Sequence, residues 1–221
     1  LDGGAGSDMA HYTGSNSGVT ANLADSKQNM GDAAGDTYFG IENIGGTGFA
    51  DILTGDGNSN SFYAGGGHDY LAGDAGNDTL IGGAGADRLM GGSGDDIYQF
   101  GRGDGADTID NTGESSSDDT VQLGATIDHD QLWFRRSGND LTVSVIGTTD
   151  RVTVGNWFNG TQNRTDFDSG NGYSLADTNV QALVDAMASF TPPALGETDL
   201  DSGAPYAATV TAAITASWQS S

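Results

Sequence analysis

Between Gly46 and Gln99 the chain divides, without a gap, into six nine-residue blocks beginning at Gly46, Gly55, Ala64, Gly73, Gly82 and Gly91. The sixth position of each block holds Asp51, Asn60, Asp69, Asp78, Asp87 and Asp96, and the eighth holds Leu53, Phe62, Leu71, Leu80, Leu89 and Tyr98. After a two-residue slip at Phe100 and Gly101, a seventh block sets Gly103, Gly105, Asp107 and Ile109 in matching places. A single block is too short to bury anything by itself. A strict repeat of this size therefore has to stack, which makes the chain a solenoid.

Each position has a physical reason. The first four residues of a block, such as Gly82-Gly83-Ala84-Gly85, read as a turn that needs positive φ and close backbone approach. The sixth residue places a carboxylate beside the turn. The last three, such as Arg88-Leu89-Met90, suffice for a short strand whose middle residue points inward. If successive blocks alternate between two sheets, blocks two apart are superposed. One inner stack is then Leu53, Leu71, Leu89 and Ile109, and the other is Phe62, Leu80 and Tyr98. The acids superpose as Asp51 with Asp69, Asn60 with Asp78, Asp69 with Asp87, Asp78 with Asp96, and Asp87 with Asp107. Stacked carboxylates repel unless a cation lies between them, and carboxylate with carbonyl oxygen is the ligand set Ca²⁺ prefers.

Composition points the same way. There are 31 acidic residues against 7 basic ones, a net of −24, which disfavours nucleic acid and anionic lipid as partners. Three of the acids are Glu (Glu42, Glu114 and Glu197), which leaves 28 Asp, the acid suited to tight turns and hard cations. The 37 glycines carry a large entropic cost on folding, which repetition or a bound ligand must offset. One Ca²⁺ per superposed pair gives about five ions and about +10 of charge, so binding free energy becomes folding free energy. The Asn60/Asp78 pair, one charge short, is expected to be the weakest. The absence of cysteine rules out disulfides, thiolate metal sites and a cysteine nucleophile.

The pattern Gly-Gly-x-Gly-x-Asp-x-apolar-x resembles that of the RTX (repeats-in-toxin) family. The resemblance implies an all-β fold, a right-handed parallel β-roll, with calcium between turns two repeats apart. It also implies ligation by the carbonyls of the first four turn positions and the sixth-position carboxylate. Carried onto the best blocks, that set is Gly73, Asp74, Ala75, Gly76 and Asp78; Gly82, Gly83, Ala84, Gly85 and Asp87; and Gly91, Gly92, Ser93, Gly94 and Asp96. Asp51, Asn60, Asp69, Gly103, Gly105 and Asp107 extend it. The early blocks depart from the pattern, with Thr47 and Phe49 in the first and Asp56 and Asn58 in the second.

Four segments are expected: a degenerate-repeat flank over 1–45, the roll over 46–117, a β-rich cap over 118–176, and a helix with an export signal over 177–221. In the flank, Gly3-Gly4-Ala5-Gly6-Ser7-Asp8 is an isolated match. In the cap, Ser137-Gly138-Asn139-Asp140 and Gly147-Thr148-Thr149-Asp150 read as hairpin turns. Val180, Leu183, Val184 and Met187 predict an amphipathic helix over 177–189. The Ala/Thr/Ser-rich tail has Val210, Ile214 and Trp218 spaced four apart and no basic residue beyond Arg164. It resembles a type I secretion signal, with a disordered tail as the alternative.

No catalytic constellation stands out. His11, His68 and His129 are scattered, and no His-Glu-x-x-His, phosphate loop or Gly-x-Ser-x-Gly is present. No apolar run is long enough to span a membrane. The outward positions form no Thr ladder, against ice binding. The expected function is a secreted calcium-binding module that works with type I secretion machinery, joined to other domains of a larger secreted or surface protein such as an adhesin. The alternative is the non-catalytic tail of a secreted protease, lipase or polysaccharide-modifying enzyme.

Overall fold

The structure is a computed structural model that describes residues 1–112, 118–161, 163–197, 200 and 207–220. The end of the expected roll segment, 113–117, and part of the expected export signal, 201–206 and 221, lie outside the described residues. The repeat region is built from β4 (Ile52–Thr54), β5 (Ser61–Gly67), β6 (Tyr70–Ala75), β7 (Thr79–Gly85), β8 (Arg88–Ser93), β9 (Ile97–Phe100) and β10 (Ala106–Ile109). Preceding them are β1 (Met9–His11), β2 (Thr20–Asn22) and β3 (Asn43–Gly45). Following them are β11 (Thr120–Leu123), β12 (Leu132–Ser137), β13 (Asp140–Val145), β14 (Arg151–Val154), β15 (Asp166–Asp168), β16 (Tyr173–Leu175) and β17 (Gln219–Ser220). The helices are α1 (Asp177–Met187) and α2 (Ala207–Ser217).

Successive repeat strands alternate between two sheets. One sheet runs β1-β3-β5-β7-β9-β11-β15-β16-β17, and the other β2-β4-β6-β8-β10-β14-β13-β12. The pairing between strands is parallel through the roll and becomes antiparallel toward the C-terminus, at β15-β16-β17 and β14-β13-β12. The register superposes Leu53, Leu71, Leu89 and Ile109 in one sheet and Phe62, Leu80 and Tyr98 in the other, as the repeat predicts. All seven side chains are buried. The same ladders extend beyond the repeats, with Ala21 on Leu53, Ala10 and Ile44 on Phe62, and Val121 on Tyr98.

Two features go beyond the sequence reading. Strands β5 to β8 are six or seven residues long rather than three, because the glycine turns themselves pair, as Gly65 with Gly83 and Gly67 with Gly85. Residues without side chains let the superposed backbones approach closely enough to extend the ladder. The second feature lies in the C-terminal tail, whose described residues form α2 and β17. Its Val210, Ile214 and Trp218 share one helical face and are buried, while Asn179 Nδ2 donates to Ser217 O at 3.1 Å. Helix α1 buries Val180, Leu183, Val184 and Met187 as expected.

Burial predicts a clear contrast between faces. Leu80→Ala, at a fully buried site, is expected to cost about 2–5 kcal/mol in denaturant unfolding with calcium present. Ile52→Ala, at a position 44% exposed on the outer face, should cost less than about 0.5 kcal/mol.

Candidate metal centre

The sixth-position side chains all point into the roll and are nearly inaccessible, from Asp51 at 2% to Asp107 at 2%. A hydrogen bond that the repeat pattern does not disclose joins each superposed pair. The backbone N–H of the earlier sixth residue donates to Oδ1 of the later one: Asp51 to Asp69 at 2.8 Å, Asn60 to Asp78 at 2.7 Å and Asp69 to Asp87 at 2.8 Å. Asp78 to Asp96 at 2.7 Å and Asp87 to Asp107 at 3.0 Å continue the series. This fixes one carboxylate oxygen in each turn. The other, Oδ2 of Asp69, Asp78, Asp87 and Asp96, is buried without any hydrogen-bond partner. A buried, unpaired carboxylate oxygen is costly unless a cation takes it up.

Three of these oxygens lie directly against the glycine that begins their turn. A methyl group on Gly73, Gly82 or Gly91 would collide with Oδ2 of Asp78, Asp87 or Asp96 respectively. In these three blocks the carboxylate occupies the space that a side chain at the first turn position would need. At the second position the backbone is left-handed, with φ of 84° at Gly83 and 103° at Gly92. Asp74 reaches the same conformation, at φ 75°, which aspartate tolerates better than most residues. Among the described residues no group of three His, Cys, Asp or Glu side chains is placed to hold a metal. A cation here must draw most of its ligands from turn carbonyls, which suits Ca²⁺ with its roughly six to eight oxygen ligands.

Burial, reinforced by neighbouring carboxylates, pushes the acids up: Asp69 to about 6, Asp78 to about 7, Asp96 to about 6 and Asp107 to about 7. Burial raises Asp87 as well. The N–H bonds oppose these shifts without cancelling them.

The two earliest sixth positions differ. Asp51 Oδ1 accepts from the Val19 N–H and the Thr47 hydroxyl, and Oδ2 accepts from the Thr47 N–H at 2.7 Å. Asn60 Oδ1 accepts from the Asp56 N–H at 3.0 Å, and its amide donates to Glu42 O at 2.9 Å. Here protein donors satisfy the oxygens left open in later turns. In the seventh block Gly103 and Gly105 adopt positive φ, as the pattern requires.

Three acids of these ladders fall outside the nonapeptide run. Asp119 Oδ1 accepts the Asp96 N–H at 3.0 Å, and Glu42 Oε2 accepts the Asp8 N–H at 2.9 Å. Asp119-Thr120-Val121 and Glu42-Asn43-Ile44 repeat positions six to eight of a block without its glycine turn, and that half-block was the available signal. Of the histidines, His68 accepts the Ala86 N–H through Nδ1 at 3.0 Å, and His129 stacks on Tyr173 with ring centroids 4.1 Å apart.

Parallel two-sheet stacking with carboxylate-bearing glycine turns defines a calcium-binding β-roll. A family model for the RTX calcium-binding nonapeptide repeat matches residues 36–71, 45–80, 63–98 and 73–109, and one for a haemolysin-type calcium-binding protein related domain matches 140–169. The repeat region thus carries RTX haemolysin-type calcium-binding nonapeptide repeats. Among solved structures, the AlgE6R3 subunit of the Azotobacter vinelandii mannuronan C5-epimerase is similar at 28% identity. That match covers 48% of this chain and 70% of the other, with a TM-score of 0.37.

The raised carboxyls give the metal-free protein a definite pH response. Their folded pKa lies above the unfolded value near 4, so the folded state holds more protons between about pH 4 and 7 and loses stability as pH rises through that window. Circular dichroism of calcium-stripped protein should show more strand signal at pH 5 than at pH 8. Saturating calcium, which favours the ionised form, should remove or reverse that trend.

Proposed function

We propose that this chain is a module that stays unfolded where calcium is scarce and folds on binding calcium after export. The observation that carries this reading is the set of buried, partnerless Oδ2 atoms on Asp69, Asp78, Asp87 and Asp96. A roll with four such oxygens and no neutralising cation is poorly stable; with Ca²⁺ in the turns, each oxygen gains a ligand bond. The calcium sites are accordingly those turns, with ligands from Gly73 to Asp78, Gly82 to Asp87 and Gly91 to Asp96, and from the turns ending in Asp69 and Asp107. The Asp51 and Asn60 turns, already satisfied by protein donors, contribute least. Extracellular calcium modules of this kind bind at roughly 10⁻⁴–10⁻³ M, so the transition suits millimolar calcium outside the cell.

The export half of the reading rests on the tail. Beyond Arg164 there is no basic residue, and Val210, Ile214 and Trp218, spaced four apart, are buried. This segment is the type I secretion signal in our reading, and the module accompanies other domains of a larger secreted or surface protein. Among the described residues no helix is long and apolar enough to cross a membrane.

Circular dichroism during a calcium titration tests the switch: strand signal should appear with calcium and vanish with chelator at neutral pH. A roll fully folded in excess chelator would overturn it. Asp78→Ala and Asp87→Ala should each lower both the calcium stoichiometry and the Tm, whereas unchanged values would refute the assignment of the sites.

A further inference from the structure

Above the seventh turn lies a segment from outside the nonapeptide run. The turn's lower side is held by the repeats: the Gly85 N–H donates to Asp104 O at 2.7 Å, and the Asp87 N–H to Asp107 Oδ1 at 3.0 Å. Its upper side is held by the cap. The Arg151 N–H donates to Gly105 O at 2.8 Å, β14 pairs in parallel with β10, and Asp150 Oδ2 accepts the Gly103 N–H at 2.9 Å. Asp150 is 7% exposed and belongs to the β13–β14 turn, outside the nonapeptide run.

This junction gathers negative charge. Asp104 and Asp107 each lie within electrostatic reach of Asp150, and Asp87 within reach of Asp104. The nearby arginines do not neutralise it: Arg102 donates to Thr126 O and Gln131 Oε1, and Arg151 to Thr149 O. Asp87, 2% exposed, has a partnerless Oδ2 on the turn directly below. Docking the cap therefore adds a carboxylate to a turn that is already acidic.

We propose that Asp150 ties the cap to the cation of the last turn, so that ion occupancy between the 82–87 and 102–107 turns and docking of β12–β14 on β10 favour one another. This rests on the calcium reading above. Asp150 acts as a positioning residue, holding the Gly103 backbone while its charge strengthens the hold on the ion. By linkage, whatever weakens the ion loosens the cap to the same degree.

Asp150→Asn separates the two roles, because the amide oxygen still accepts the Gly103 N–H while the charge is lost. Calcium titration of the 221-residue chain, followed by emission of the buried cap residues Trp133 and Trp157, should need about fivefold more calcium in this variant. Asp185→Asn, an exposed charge on α1, should leave the midpoint unchanged. An unshifted midpoint in Asp150→Asn overturns the inference while leaving the calcium reading intact. Absence of any calcium response in the unsubstituted chain overturns both. Should Asp150→Asn not fold in saturating calcium, Asp104→Asn, which removes a neighbouring charge on the same turn, is expected to shift the midpoint in the same direction; no shift there overturns the proposal.

Discussion

The fold depends on one contact repeated up the roll: a backbone N–H at the sixth position of one turn, donated to Oδ1 of the aspartate one level on. It carries each carboxylate into the interior, satisfies the backbone where strand gives way to turn, and aligns the carbonyls of superposed turns. Its cost is the second oxygen. A carboxylate held this way cannot turn Oδ2 to water, so the architecture that orders the turns also creates the demand for a cation. Structure and ligand requirement have a single origin.

The hydrophobic half of the roll offers no comparable specificity. Leucines dominate the inner stacks and exchange readily with Phe62, Ile109 and Val121 at equivalent levels. Tyr98 is the exception, because its hydroxyl accepts the Gly91 N–H at 2.9 Å and donates to Asn111 at 2.8 Å. That pair of bonds links the apolar stack to the glycine that begins a calcium turn.

Much of this was legible in the sequence, and the limits are physical. A nine-residue period sets both sheets and the register of the inner stacks, since a slip of one residue would turn every leucine outward. The fate of Asp51 was not legible: Thr47, where later blocks have glycine or aspartate, supplies an N–H and a hydroxyl that meet the carboxylate internally. Nor was the place of Asp119 and Glu42, because each enters a ladder through strand pairing without its own glycine turn. The helix at 207–217 was obscured by Ala and Thr, whose weak patterning gains meaning only from its packing on α1.

The ladder also has a direction. In the nonapeptide run each sixth-position N–H finds its carboxylate acceptor 18, 20 or 23 positions downstream, never upstream. A partial roll that lacks its C-terminal levels ends on an N–H with nothing to receive it. One that lacks its N-terminal levels ends on a carboxylate that can still hold a cation. The two ends of the roll are therefore chemically unlike, and at the C-terminal end Asp119, from outside the repeats, supplies the acceptor for Asp96.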